Sequence, residues 1–154
     1  MQVNLSDVIE AIEFEGELLS HYYNKKTGVI IYLEDESTSN YKADDINNLE
    51  NFEEWERELI ICLHDLKENF EDYIQLPNED EINEYGMMID FCKSLDDENF
   101  KDKKLEELQE KYSLRKLREY IENIEHLSEW YDYRENTEYK LAIDWCEKNN
   151  IEYI

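Results

Sequence analysis

His21-Tyr22-Tyr23-Asn24-Lys25-Lys26-Thr27-Gly28-Val29-Ile30-Ile31-Tyr32-Leu33 is the stretch that decides the fold class of this chain. Two runs rich in aromatic and β-branched residues flank a polar cluster that ends in Gly28. That is the pattern of a β-hairpin with a loop of about four to five residues. Most of the sequence around it reads as helix, so the hairpin makes the expected class α+β rather than all-α.

Upstream, Leu5, Val8, Ile9 and Ile12 share one helical face, which predicts a short helix over residues 5–14 with Asn4 or Ser6 as its cap. Downstream, Glu34–Asn48 is polar and reads as a surface loop. From Asn51 a stripe at spacings of three and four begins: Phe52, Trp55, Leu59, Cys62, Leu63 and Leu66. Asp72–Leu76 is short and β-prone, which predicts a third strand. Pro77-Asn78-Glu79-Asp80-Glu81 follows as a helix start, with Asn78 as N-cap and Glu81 completing a capping box. One helix then carries Ile82, Tyr85, Met88, Ile89, Cys92 and Leu95. Shorter helices are expected over residues 101–111 and 114–124, and a last one from about Ser128 to Lys148. Ser128 is its expected cap and Asn149-Asn150 its stop, before a short edge strand at Ile151-Glu152-Tyr153. The sum is one mostly helical α+β domain over residues 1–154. A small antiparallel sheet, the N-terminal hairpin plus short strands, packs on the helices.

Charge narrows the function classes. The chain has 41 Asp and Glu against 16 Lys and Arg, a formal net charge of -25. Between Glu34 and Glu84 stand eighteen acidic residues and three basic ones, Lys42, Arg57 and Lys67. Such a field repels nucleic acid and anionic membrane and attracts basic surfaces. The aromatic fraction of 13% supplies core material that a disordered acidic chain lacks. No apolar run approaches the roughly 18 residues of a membrane span. The first residues, Met1–Asp7, show no leader pattern, so a cytoplasmic location is expected. Three widely spaced cysteines, Cys62, Cys92 and Cys146, read as reduced and buried.

Motifs for chemistry are missing. The sequence holds no Gly-x-Ser-x-Gly, no phosphate-binding glycine loop and no His-Glu-x-x-His, and three glycines leave little for a backbone phosphate cradle. Cys62 and His64 would point about 160° apart on a helix, too far to share a metal, so a buried Cys and an exposed His are expected there. Neither a catalytic residue, a cofactor nor a metal site is assigned. Adjacent carboxylates are frequent, as 41 acids make them by chance.

Two sets remain as candidate sites. Glu53, Glu54, Glu56 and Glu58 open the long helix and would form an acidic face for a partner. Trp130, Tyr131, Tyr133 and Arg134, in an aromatic C-terminal helix that also carries Tyr139 and Trp145, would line a ligand site. Core packing with hydroxyls reaching water is the favoured reading of that second set. Residues 101–118 run against the global charge with seven basic residues and four acidic. Pairing with the protein's own acidic helices is the favoured reading of that segment over a docking face.

Several pieces together resemble a known family: Val3-Asn4-Leu5-Ser6-Asp7-Val8-Ile9-Glu10-Ala11-Ile12-Glu13, Tyr23-Asn24-Lys25-Lys26-Thr27-Gly28, Tyr73-Ile74-Gln75-Leu76-Pro77, Glu81-Ile82-Asn83-Glu84-Tyr85-Gly86-Met87-Met88-Ile89-Asp90-Phe91, Trp130-Tyr131 with Tyr133-Arg134, and Ala142-Ile143-Asp144-Trp145-Cys146-Glu147 before Ile151-Glu152-Tyr153. In this order they look like the uncharacterised protein family 0158, small acidic bacterial proteins. The resemblance implies a single-domain bacterial cytoplasmic protein and supplies no activity. The leading expectation is therefore a non-enzymatic acidic binding protein. Its helices would imitate nucleic acid toward a basic protein surface, with no direct nucleic-acid or membrane contact and no oligomeric state implied. Two alternatives stay open: a small-molecule or hydrolytic site at the C-terminal aromatics and Arg134, and a structural or regulatory subunit with no active site.

Overall fold

The computed structural model describes residues 2–15, 19–34, 41–95, 114–123 and 126–154. They group into two compact units, Met1–Glu81 with Ala142–Ile154, and Ile82–Leu141. The class is α+β and mostly helical, with a small antiparallel sheet, as the sequence predicts.

The first unit starts with a strand, β1 (Gln2–Val3), and a helix, α1 (Leu5–Glu13). Asn4 caps α1, its side chain accepting the Ser6 N–H at 3.3 Å. Leu5, Val8, Ala11 and Ile12 form the buried face. The hairpin follows as β2 (Leu19–Asn24) and β3 (Ile30–Glu34), antiparallel, with Tyr22 opposite Ile31 and Tyr23 opposite Ile30. Its loop is an Asx turn: Asn24 Oδ1 accepts the N–H groups of Lys26 (2.9 Å) and Thr27 (3.3 Å). Gly28 closes it at φ 74°, a conformation that glycine adopts without strain. The third predicted strand is β4 (Tyr73–Gln75), paired antiparallel with β2, so the sheet order is β3-β2-β4.

Two expectations for this unit are corrected. Glu34–Asn48 is not all loop, because Ala43–Asn51 forms a 3₁₀ helix broken at Asn48; residues 35–40 lie outside the described set. The long helix, α2 (Glu54–Glu68), begins after Phe52 and buries Ile60 completely while Trp55 is 60% exposed. Of the predicted stripe, Leu59, Cys62, Leu63 and Leu66 are half-buried and Trp55 is exposed, and the fully buried Ile60 lies about 140° from Trp55 at 100° per residue. The short edge strand expected at Ile151–Tyr153 forms as β5 (Glu152–Tyr153), which pairs with β1 in a parallel two-residue ladder apart from the antiparallel sheet. Strands of two residues carry no readable alternation, which is why β1 is invisible in the sequence.

The second unit holds α4 (Glu84–Ser94), α5 (Leu114–Asn123) and most of α6 (Leu127–Lys148). The capping box at Asn78 and Glu81 is present but opens only a four-residue helix, α3 (Glu79–Ile82). The single helix expected here is interrupted by Asn83, which takes a left-handed conformation (φ 48°, ψ 63°) and caps α4 by accepting the Gly86 N–H at 3.1 Å. Met87, Met88, Ile89, Phe91 and Cys92 of α4 pack with Ile121 and Trp130 as the core of this unit. The helix expected at residues 101–111 lies outside the described residues.

α6 starts at Leu127 rather than Ser128 and passes from the second unit into the first at Ala142. Asn150 ends it as predicted, in a left-handed conformation (φ 55°), while the Ile151 N–H reaches back to the Cys146 carbonyl at 2.8 Å. Trp145 then fixes the helix end to the sheet of its own unit. Its ring meets Tyr23 edge-on at 5.9 Å. Its indole N–H donates to the Gln75 carbonyl at 3.0 Å.

Candidate functional site

The acidic residues singled out in the sequence stand at the start of α2, and two of them hold that start together. Glu53 is the cap, and its N–H donates to Glu56 Oε2 at 2.7 Å. Glu56 Oε1 accepts the Tyr41 hydroxyl at 2.8 Å, which raises the Tyr41 pKa. Glu54 and Glu58 are exposed. Among them stands Trp55, whose indole N–H donates to Glu53 Oε2 at 3.0 Å. Tyr41 meets both Phe52 (6.0 Å) and Trp55 (6.3 Å) edge-on. The result is an exposed aromatic ring held by its edge inside a carboxylate cluster. Arg57 is turned to local work, its Nε donating to the carbonyls of Leu49 (2.9 Å) and Phe52 (2.8 Å).

A second feature of the same unit was not singled out as a site in the sequence. A groove of about 600 Å³ lies between α1 and the hairpin. Asp7, Glu10 and Phe14 line one side, and His21, Val29 and Tyr32 the other. Phe14 (63%), Val29 (54%) and Tyr32 (61%) are exposed apolar side chains. His21 is buried, and its Nδ1 lies 2.8 Å from Glu15 Oε2, a carboxylate whose side chain is only 2% exposed. Burial raises the Glu15 pKa, and the bond to His21 opposes that rise. The sequence signal for this pair was slight: a lone His and a Glu six residues apart, in different elements.

The C-terminal set is divided by the structure. Trp130 is buried against Phe91 (5.5 Å) and near Tyr133 (6.4 Å), as core. Tyr133 is half-buried against the same Phe91. Tyr131 points away and is exposed. Arg134 Nε donates to Glu138 Oε1 at 2.9 Å, and Glu138 is buried. Two members are thus spent on packing and a third on an ion pair.

Cys62 and His64 are both half-buried, which corrects the buried-and-exposed pair expected of them. Cys92 and Cys146 are buried, and all three thiols are free. Among the described residues no group of three His, Cys, Asp or Glu is placed to hold a metal ion, and no helix is long and apolar enough to cross a membrane. Of the basic stretch, Arg118 pairs with Glu84 (3.0 Å) and Arg115 with Glu119 (3.1 Å). These two follow the self-pairing expectation, and residues 101–113 lie outside the described set.

Comparison with known proteins gives one match. The model of the Uncharacterised protein family (UPF0158) covers residues 1–154, so the chain belongs to that family. No curated protein and no solved structure matches it.

Proposed function

We propose that this member of UPF0158 is a non-enzymatic acidic binding protein that engages a basic protein surface through the start of α2. The observation that carries the reading is Trp55, 60% exposed and tied to Glu53 amid Glu54, Glu56 and Glu58. Trp is enriched at binding hot spots, and the face of an indole attracts a Lys or Arg head. Carboxylates around it add long-range attraction, so association is fast at low salt and weakens as salt rises. The net charge of -25 disfavours nucleic acid as the direct ligand. It favours instead a surface that nucleic acid itself would bind, which the acidic face imitates.

Pull-down from a bacterial lysate at graded salt tests this, with wild type beside Trp55→Ala and Glu54→Gln/Glu58→Gln. The reading expects a basic partner that is released by salt, displaced by added duplex DNA, and lost with Trp55→Ala. Failure to recover a basic partner, binding indifferent to salt, or equal recovery by Trp55→Ala would sink it.

A further inference from the structure

We infer that the groove between α1 and the β2–β3 hairpin is a second binding site, which receives the Lys or Arg side chain of a basic peptide segment flanked by apolar residues. His21 Nε2, Asp7 and Glu10 are its acceptors. The inference rests on the proposed function only in taking the partner to be basic.

His21 is the centre of the argument. Its side chain is 7% exposed and its Nδ1 is committed to Glu15. Among the described residues, every buried side-chain nitrogen or oxygen has a hydrogen-bond partner. Among the described residues no group is placed on Nε2, and His21 is one of the residues that line the groove. In the neutral tautomer that donates Nδ1–H to Glu15, the ring carries its lone pair on Nε2. In that form, a buried imidazole oriented by the Glu15 carboxylate presents a positioned acceptor.

The rest of the lining selects the ligand. Asp7 and Glu10 add two carboxylates, and no Lys or Arg lines the groove among the described residues. An anionic ligand would meet only acceptors and find no counter-charge. A cation carrying N–H donors matches all three groups. Phe14, Val29 and Tyr32 add apolar and aromatic walls, which suit the aliphatic stem of a Lys or Arg and the cation–π contact of its head. The volume of about 600 Å³ lies within the range of ligand sites. Its rim carries three exposed apolar side chains, Phe14, Val29 and Tyr32. Flanking residues of a peptide cover it.

The test is a titration of the full chain with a short peptide bearing one Arg between apolar residues, followed by NMR of the imidazole nitrogens and the indole N–H groups. Parallel arms use the same peptide with citrulline for Arg, and butylguanidinium alone. The expected result is a shift at His21 and a loss of affinity of about fivefold or more for Glu10→Lys, an exposed site where charge reversal leaves the fold intact. The citrulline peptide should bind about tenfold more weakly. Peptide binding that leaves His21 unmoved and is abolished by Trp55→Ala overturns the groove and leaves the α2 face standing. Binding that needs Glu10 and ignores Trp55 supports the groove, even if the α2 reading falls. Equal affinity for the citrulline peptide, or for butylguanidinium alone, overturns the assignment of the occupant.

Discussion

A Cβ built on Gly86 would stand 2.4 Å from Asn83 Nδ2 and 2.9 Å from Asn83 Cγ. The cap of α4 and the glycine three residues into it therefore occupy one space. Gly86→Ala should destabilise the chain by about 1 kcal/mol. It displaces the capping amide, which outweighs the usual helix gain of alanine over glycine. The control is Asn83→Gly, which keeps the left-handed conformation and removes the obstructing side chain. In that background Gly86→Ala should stabilise by about 0.5–1 kcal/mol. Urea denaturation of the four proteins checks the reversal of sign, and a loss in both backgrounds would show that the clash with Asn83 is not the cause.

Trp55 and Trp145 should respond in opposite ways. Trp55→Ala removes an exposed ring and should cost about 0.5 kcal/mol or less in stability. Trp145→Phe keeps a ring against Tyr23 but strips the N–H from the Gln75 carbonyl. That should cost about 1–2 kcal/mol, the penalty of a part-buried acceptor left unmade. Chemical denaturation of both variants measures the contrast. A large loss for Trp55→Ala would mean that this ring is part of the core after all, and the α2 docking face would lose its anchor.

Arg134→Ala should cost about 2 kcal/mol, because buried Glu138 loses its charge-assisted hydrogen bond to Arg134. Arg134→Ala/Glu138→Leu should recover much of that loss, since a buried apolar side chain needs no charged partner. If Arg134→Ala were neutral in thermal unfolding, Arg134 would be free for a ligand, and the C-terminal aromatic site would regain its case.

Where periodicity runs over several turns, the elements were legible: α1, the hairpin, α5 and α6 stand where the sequence puts them. The failures share a cause. A stripe at spacings of three and four does not report where a face runs out into solvent: Leu59, Cys62, Leu63 and Leu66 are half-buried, while Trp55, in the first turn of the same stripe, is exposed. Asn83 looked like one polar residue within a helix. Its role depends on a positive φ, which no spacing rule reports. The two-residue ladder of β1 and β5 is made by chain closure rather than by local preference. The concentration of carboxylates at the start of α2 was legible because charge is local and additive. The His21–Glu15 pair was not, because it forms only when the hairpin folds back on the end of α1.

Alkaline pH should unfold this chain through its buried thiols. Burial pushes Cys92 and Cys146 from the ordinary thiol value of 9.0 up to about 11, with Glu147 adding to the rise at Cys146. Burial, and then the hydroxyl's hydrogen bond to Asp65, pushes Tyr73 up to about 12. Each group stays protonated in the folded state at a pH where the unfolded chain has released its proton. The unfolded state then binds fewer protons, so stability falls as pH rises. The loss should open near pH 9, where unfolded thiols begin to ionise, and level off for the two cysteines near pH 11. Tyr73 should extend it above the ordinary tyrosine value of 10.0. Urea midpoints measured from pH 8 to 11 should decline in wild type and decline less in Cys92→Ala/Cys146→Ala, whatever the baseline cost of that variant. A thiol reagent at pH 8 offers an independent check. Cys62, half-buried, should react first, and Cys92 and Cys146 only as fast as the chain opens. Equal slopes for wild type and variant would show that thiol burial does not set the alkaline limit.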